Sequence, residues 1–95
     1  MSGHETEVAQ ALTPTVRERI ASDFRPADQP LVERELQRYA ASADPREIER
    51  VQLAILELAH GNGGKASRYT DDAIRDYRDV LYRAYYQNDG ARDRG

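Results

Sequence analysis

The chain predicts an all-α fold, a small three- to four-helix bundle with frayed termini, and three observations carry that expectation. Apolar residues recur at spacings of three and four across residues 13–88. Capping residues, several of them next to a proline, stand at the heads of these runs. The one segment that could also be written as a strand, 51–58, has no second strand pattern to pair with.

The first helix is expected to open at Thr13-Pro14, an N-cap followed by proline at the first helical position, where its missing N–H is no loss. Val16, Ile20 and Phe24 then make a narrow apolar stripe, and Arg25-Pro26 ends the helix, because a residue before proline is pushed out of the helical region. Asp28 is the expected cap of a second helix over 29–42, with Pro30 in its first turn and Val32, Leu36, Tyr39 and Ala40 on one face. Asp44-Pro45-Arg46-Glu47 reads as a capping box, which starts the third helix at residue 45 and carries it to about His60, with Gly61 at the C′ position. Apolar residues and Gln52 cover about 200° of that helix, which makes it the centre of the core. Leu53 falls outside the arc, among charged residues. Gly61 to Ser67 reads as a mobile connection. Thr70 is then the expected cap of a last helix over 71–88, with Asp71 and Asp72 in its first turn. Its apolar face is Ile74, Tyr77, Leu81, Ala84 and Tyr85, widened by Val80.

Residues 1–12 and 89–95 are expected to be flexible tails on a helical domain at 13–88. Leu, Ile, Val and Phe number 17 of 95 residues, a supply low enough to suggest disorder. The small net charge of −3 and six tyrosines argue against that. Such a core is marginal, which makes association an expected property.

The absence of cysteine excludes disulfides, thiolate metal sites and a cysteine nucleophile. No apolar run approaches the roughly 20 residues a membrane span needs, and the N-terminus lacks the basic start and apolar run of a secretory signal, so no membrane partner and a cytoplasmic location are expected. An acidic pI near 5.3 argues against a nucleic-acid partner. A helix-turn-helix made from the second and third helices would read bases with the most apolar helix in the chain.

Residues 50–58, Arg-Val-Gln-Leu-Ala-Ile-Leu-Glu-Leu, and 76–81, Asp-Tyr-Arg-Asp-Val-Leu, with Ala84 and Tyr86 beyond them, form a recognisable text. It resembles a small bacterial helical family marked by an Arg-Val-x-Leu-Ala-Ile-Leu-x-Leu helix, a glycine, and Asp-Tyr-Arg-Asp-Val-Leu followed by Trp-Ala-Glu-Tyr-Pro. Arg83, Tyr85 and Gln87 replace the tryptophan, glutamate and proline of that pattern, and a glycine-rich connection replaces a leucine-bearing one. The resemblance implies a helical fold. It implies no activity, and no functional residue is carried over.

Gly64-Lys65 lacks the spacing, the following Ser or Thr and the preceding strand of a phosphate loop. His4 and His60 have no metal-ligand spacing, and His60 suits a helix C-terminus. Asp72, Asp76 and Asp79 at i, i+4 and i+7 place three acids on one helix face, where Arg75, Arg78 and Arg83 are expected to pair with them as a solvated surface. No catalytic residue, cofactor or metal is therefore expected. Tyr77 and Tyr85 fall on the apolar face, whereas Tyr82 and Tyr86 lie at or beyond its edge. Such tyrosines suit edge packing with the hydroxyl in water, and exposed tyrosine beside arginine is also the composition enriched at protein interfaces. The expected function is non-enzymatic association, with a protein partner or a second copy, through candidate interface residues Leu53, Arg78, Tyr82, Arg83 and Tyr86. The alternative is an enzyme or ligand-binding protein whose site the last helix builds in an oligomer.

Overall fold

A computed structural model of the chain describes residues 12–87. Four helices follow in order: α1 (Pro14–Asp23), α2 (Gln29–Ala41), α3 (Ile48–Ala59) and α4 (Gly63–Tyr82), which runs on into a π-helical turn, Arg83–Gln87. No strand occurs among the described residues, so the fold is the all-α bundle the periodicity predicts. Leu12 is buried in the core, and the rest of the two expected tails lies outside the described residues.

Helix α1 forms as its sequence dictates. Thr13 Oγ1 accepts the Val16 backbone N–H at 3.2 Å and donates to Glu49 Oε2 at 2.6 Å, so one hydroxyl caps α1 and ties it to α3. A second tie is Arg19, whose Nη2 lies 3.2 Å from Asp23 and 3.3 Å from Glu57 on α3. Val16, Ile20 and Phe24 are all buried. Between α1 and α2, Gln29 Nε2 donates to the Phe24 carbonyl at 2.9 Å. Asp28 occupies the cap position of α2 without a side-chain cap bond; its carboxylate faces Arg25 at 3.4 Å instead.

The third helix starts at Ile48, three residues after the expected position. Asp44 Oδ1 accepts the Arg46 N–H at 2.9 Å, and the Glu47 N–H reaches the Asp44 carbonyl at 2.9 Å, so residues 44–47 close a separate turn before the helix. Glu47 then sits at the cap without a side-chain cap bond, and the expected capping box does not form. At the other end His60 is left-handed at φ 49°, and Gly61 follows at φ 77° in the expected C′ place. Glycine is required there for a second reason: a Cβ at Gly61 would stand 2.6 Å from the Asp23 carbonyl oxygen, where α1 ends against this corner.

The largest correction concerns residues 61–70. The expected mobile connection is helical from Gly63 onward, and Asn62 caps α4 by accepting the Lys65 N–H at 3.0 Å. Thr70 is not a cap but a buried residue in mid-helix, its hydroxyl donating to the Ala66 carbonyl at 2.8 Å. Gly63, Ala66, Thr70 and Ala73 form the buried row of this half of α4. Small side chains there let α4 lie close against its neighbours, α3 and α2.

The core gathers around α3, whose Val51, Gln52, Ala54, Ile55, Leu56 and Ala59 are buried. Gln52 is the one buried amide among them, and its Nε2 donates to the Leu36 carbonyl of α2 at 3.0 Å. Arg38 of α2 adds a surface clamp to α4, with Nη2 2.5 Å from Glu35 and 2.6 Å from Asp71. If α3 is the centre, Ile55→Ala should cost about 2–4 kcal/mol in urea denaturation, the range for emptying a buried aliphatic site, and the exposed Arg68→Ala within about 0.5 kcal/mol. Equal losses would contradict this packing.

Candidate functional site

The last helix is interrupted at Asp76, whose φ of −161° and ψ of 96° are extended rather than helical. Asp76 Oδ1 accepts the Arg78 backbone N–H at 3.1 Å, as an N-cap does for the second residue of a helix, so the chain restarts its helix here. Upstream the buried row is Gly63, Ala66, Thr70 and Ala73; downstream it is Val80, Leu81 and Ala84. Ile74 and Tyr85, expected in the core, are 41% and 42% exposed, and Tyr77 is half-buried against the core. The physical reason is steric. At Ala73 and Ala84 the small residue takes the buried side, and the large apolar side chain one position away, Ile74 or Tyr85, is turned outward.

Tyr82 and Tyr86 are exposed, at 53% and 68%, and their rings stack with centroids 5.4 Å apart and planes 29° from parallel. Tyr82 ends α4 and Tyr86 lies in the π-helical turn that follows it. One turn earlier, Arg78 continues the same line of the helix at i−4 from Tyr82, with its Nε 3.3 Å from Asp76 Oδ1. Arg83 pairs with Asp79 at 3.4 Å, i to i+4, on the adjacent line. Four of the five candidate interface residues are thus assembled on one stretch, the end of α4 and the π-helical turn that continues it.

The fifth is elsewhere. Glu49, Leu53 and Glu57 recur at i, i+4 and i+8, and α1 bonds the two glutamates through Thr13 and Arg19. Leu53 therefore belongs to the α1–α3 seam, half-buried and packed on the core. The acidic stripe is also rearranged: the break at Asp76 takes Asp72, Asp76 and Asp79 out of one continuous helical face. Arg78 pairs with Asp76 two residues away instead of across a helical turn. Among the described residues no group of three or more potential metal ligands is brought together.

A cleft of about 420 Å³ lies where the α2–α3 connection meets the break in α4, lined by Tyr39, Ser42, Ala43 and Asp44 on one side and 73–78 on the other. Its carboxylates are engaged by neighbours. Asp76 holds Arg78, and the Arg46 guanidinium and backbone N–H hold the Asp44 carboxyl below the usual carboxylate range. Burial pushes the Tyr39 phenol up to about 12, with Tyr77, Glu47 and Asp44 adding to the shift. Sequence periodicity placed Tyr39 in the core; its position beside this cleft had no sequence signal.

Compared with known proteins, the chain matches no family model, no curated protein and no solved structure.

Two outcomes follow from this geometry. Asp76→Ala should lower stability by about 1 kcal/mol through loss of the cap, whereas Asp76→Asn, which still offers an acceptor oxygen, should retain most of it in thermal or urea unfolding. Tyr39 makes a pH-dependent contribution of fixed sign. Its folded-state pKa is raised, so the stabilisation is whole below pH 10 and is lost as pH rises towards about 12. Tyr39→Phe should flatten the stability curve in that window by on the order of 2 kcal/mol.

Proposed function

We propose that this chain is a non-enzymatic helical module that works by protein–protein association, through the α4 line of Arg78, Tyr82 and Tyr86 with Arg83 at its rim. The observation that carries this reading is the stacked, solvent-exposed tyrosine pair. Tyrosine and arginine are the residues that most often anchor interfaces, because each buries a large planar surface and retains a polar handle. Stacking of Tyr82 on Tyr86 holds both rings before a partner arrives, which lowers the entropy lost on binding. Tyr85 and Ile74, also exposed, extend the apolar surface along the same helix.

The cleft beside Tyr39 favours the alternative, a ligand-binding or catalytic site. It is the weaker reading, since Asp44 and Asp76 are both engaged by arginines, and an acid–base pair needs a free partner at hydrogen-bond distance. The test compares proteins retained by the immobilised wild-type chain and by its Tyr82→Ser/Tyr86→Ser variant from an extract of the organism that makes it, with free chain included. Loss of retained protein at unchanged helicity is the expected outcome. Identical sets would overturn the association reading.

A further inference from the structure

We infer that the surface formed by Arg78, Asp79, Tyr82, Arg83 and Tyr86 is built to bind a second copy of itself, with the two α4 helices antiparallel. This deepens the association reading and rests on it. Arg78, Tyr82 and Tyr86 succeed one another at i, i+4 and i+8, about 6 Å apart per step along the helix. The line therefore has a cation at one end, an aromatic ring at its middle and another at its far end. Its neighbour, Asp79 and Arg83 at i and i+4, has an anion at one end and a cation at the other.

The two lines share almost the same midpoint, residue 82 for the first and residue 81 for the second. A two-fold axis through that level, normal to the plane of the paired helices, brings each line opposite its own reversed copy. Arg78 then meets Tyr86 of the second copy, Tyr82 meets Tyr82, and Asp79 meets Arg83. Every facing pair is attractive: a guanidinium on an aromatic face, two offset rings and an ion pair, with the arginine contacts made twice by symmetry. A parallel arrangement would instead set Arg78 against Arg78 and Asp79 against Asp79. Arg78 is prepared for its role. Its side chain is 79% exposed and held through Nε by Asp76, an edge contact that leaves the planar face of the guanidinium free for stacking.

Sedimentation equilibrium or light scattering of the full chain tests this, with circular dichroism confirming that each variant keeps its helicity. The wild-type mass should climb with concentration from 10.8 kDa towards twice that value. Arg78→Glu and Tyr86→Ser should each weaken self-association by about tenfold or more. Asp79→Arg alone and Arg83→Asp alone should also weaken it, because like charges then face each other. An equimolar mixture of those two variants should restore the dimer, since every facing pair is again opposite in charge. A wild-type chain that stays monomeric at high micromolar concentration overturns the second copy; the association reading itself falls only if the Tyr82→Ser/Tyr86→Ser chain retains every protein the wild type retains. A dimer that the mixture fails to restore overturns the antiparallel register.

Discussion

Six of the twelve residues of helix α3 are shielded from water, and a chain with 17 large aliphatic or phenylalanine side chains has few other places to make a core. The rest of the bundle depends on covering that helix. Helix α1 lies along one side of it, α2 along another, and α4 makes the most extensive cover. Gln52 shows how far the shielding goes. An amide this deeply buried would be costly without a partner, and the Leu36 carbonyl supplies one across the α2–α3 seam. Polar groups at the borders of α3 then fix the register of α1, as Thr13 and Arg19 bind Glu49 and Glu57 on either side of Leu53.

Close packing onto α3 has a consequence for α4. A helix that approaches with glycine, alanine and threonine along Gly63, Ala66, Thr70 and Ala73 comes nearer than one bearing leucine could. Ile74, one position beyond Ala73, then has no interior to enter, whereas downstream of the break Val80 and Leu81 take the buried side. Ile74, Tyr82, Tyr85 and Tyr86 remain outside, and they are the exposed large hydrophobic residues of the described chain. The break at Asp76 follows Ile74, and the π-helical turn at 83–87 carries Tyr85 and Tyr86. From Arg78 through Tyr82 into that turn at Tyr86, the chain presents an arginine and two tyrosines four residues apart. The surface we assign to association is thus the outward side of the stretch whose inward side is Val80, Leu81 and Ala84.

Charged side chains do modest but specific work in this arrangement. Exposed pairs such as Arg83–Asp79 and Arg46–Asp44 contribute little to stability, because water screens them and ordering two long side chains has an entropic cost. Their value lies in placement. Arg38 joins α2 to α4 through Asp71, and Asp76 both restarts a helix and orients the guanidinium of Arg78. A chain with nearly balanced acids and bases can tie its helices together and still keep only a small net charge.

Local chemistry alone determined much of this protein. Thr13-Pro14 starts a helix, Gly61 ends one, and the wide apolar arc of residues 48–59 can only be a central helix. Those features involve residues a few positions apart, and the sequence states them directly. Tyr82 and Tyr86 were likewise legible as edge residues, because they fall off the large apolar stripe. What the tertiary structure decided was which competing local signal wins. Asp44-Pro45-Arg46-Glu47 reads as a capping box yet closes a turn, and Thr70 reads as a cap yet lies inside a helix. Gly63-Gly64 reads as a linker yet opens α4, since packing against α3 and α2 stabilises a helix whose own propensity is poor. Leu53 falls outside the apolar arc in the sequence, yet it is half-buried against the core, on the stretch of α3 whose Glu49 and Glu57 are bonded by Thr13 and Arg19. Propensity and spacing are local, whereas the burial that chooses between them comes from segments far apart in the chain, and it rewards small side chains that carry no periodic signal of their own.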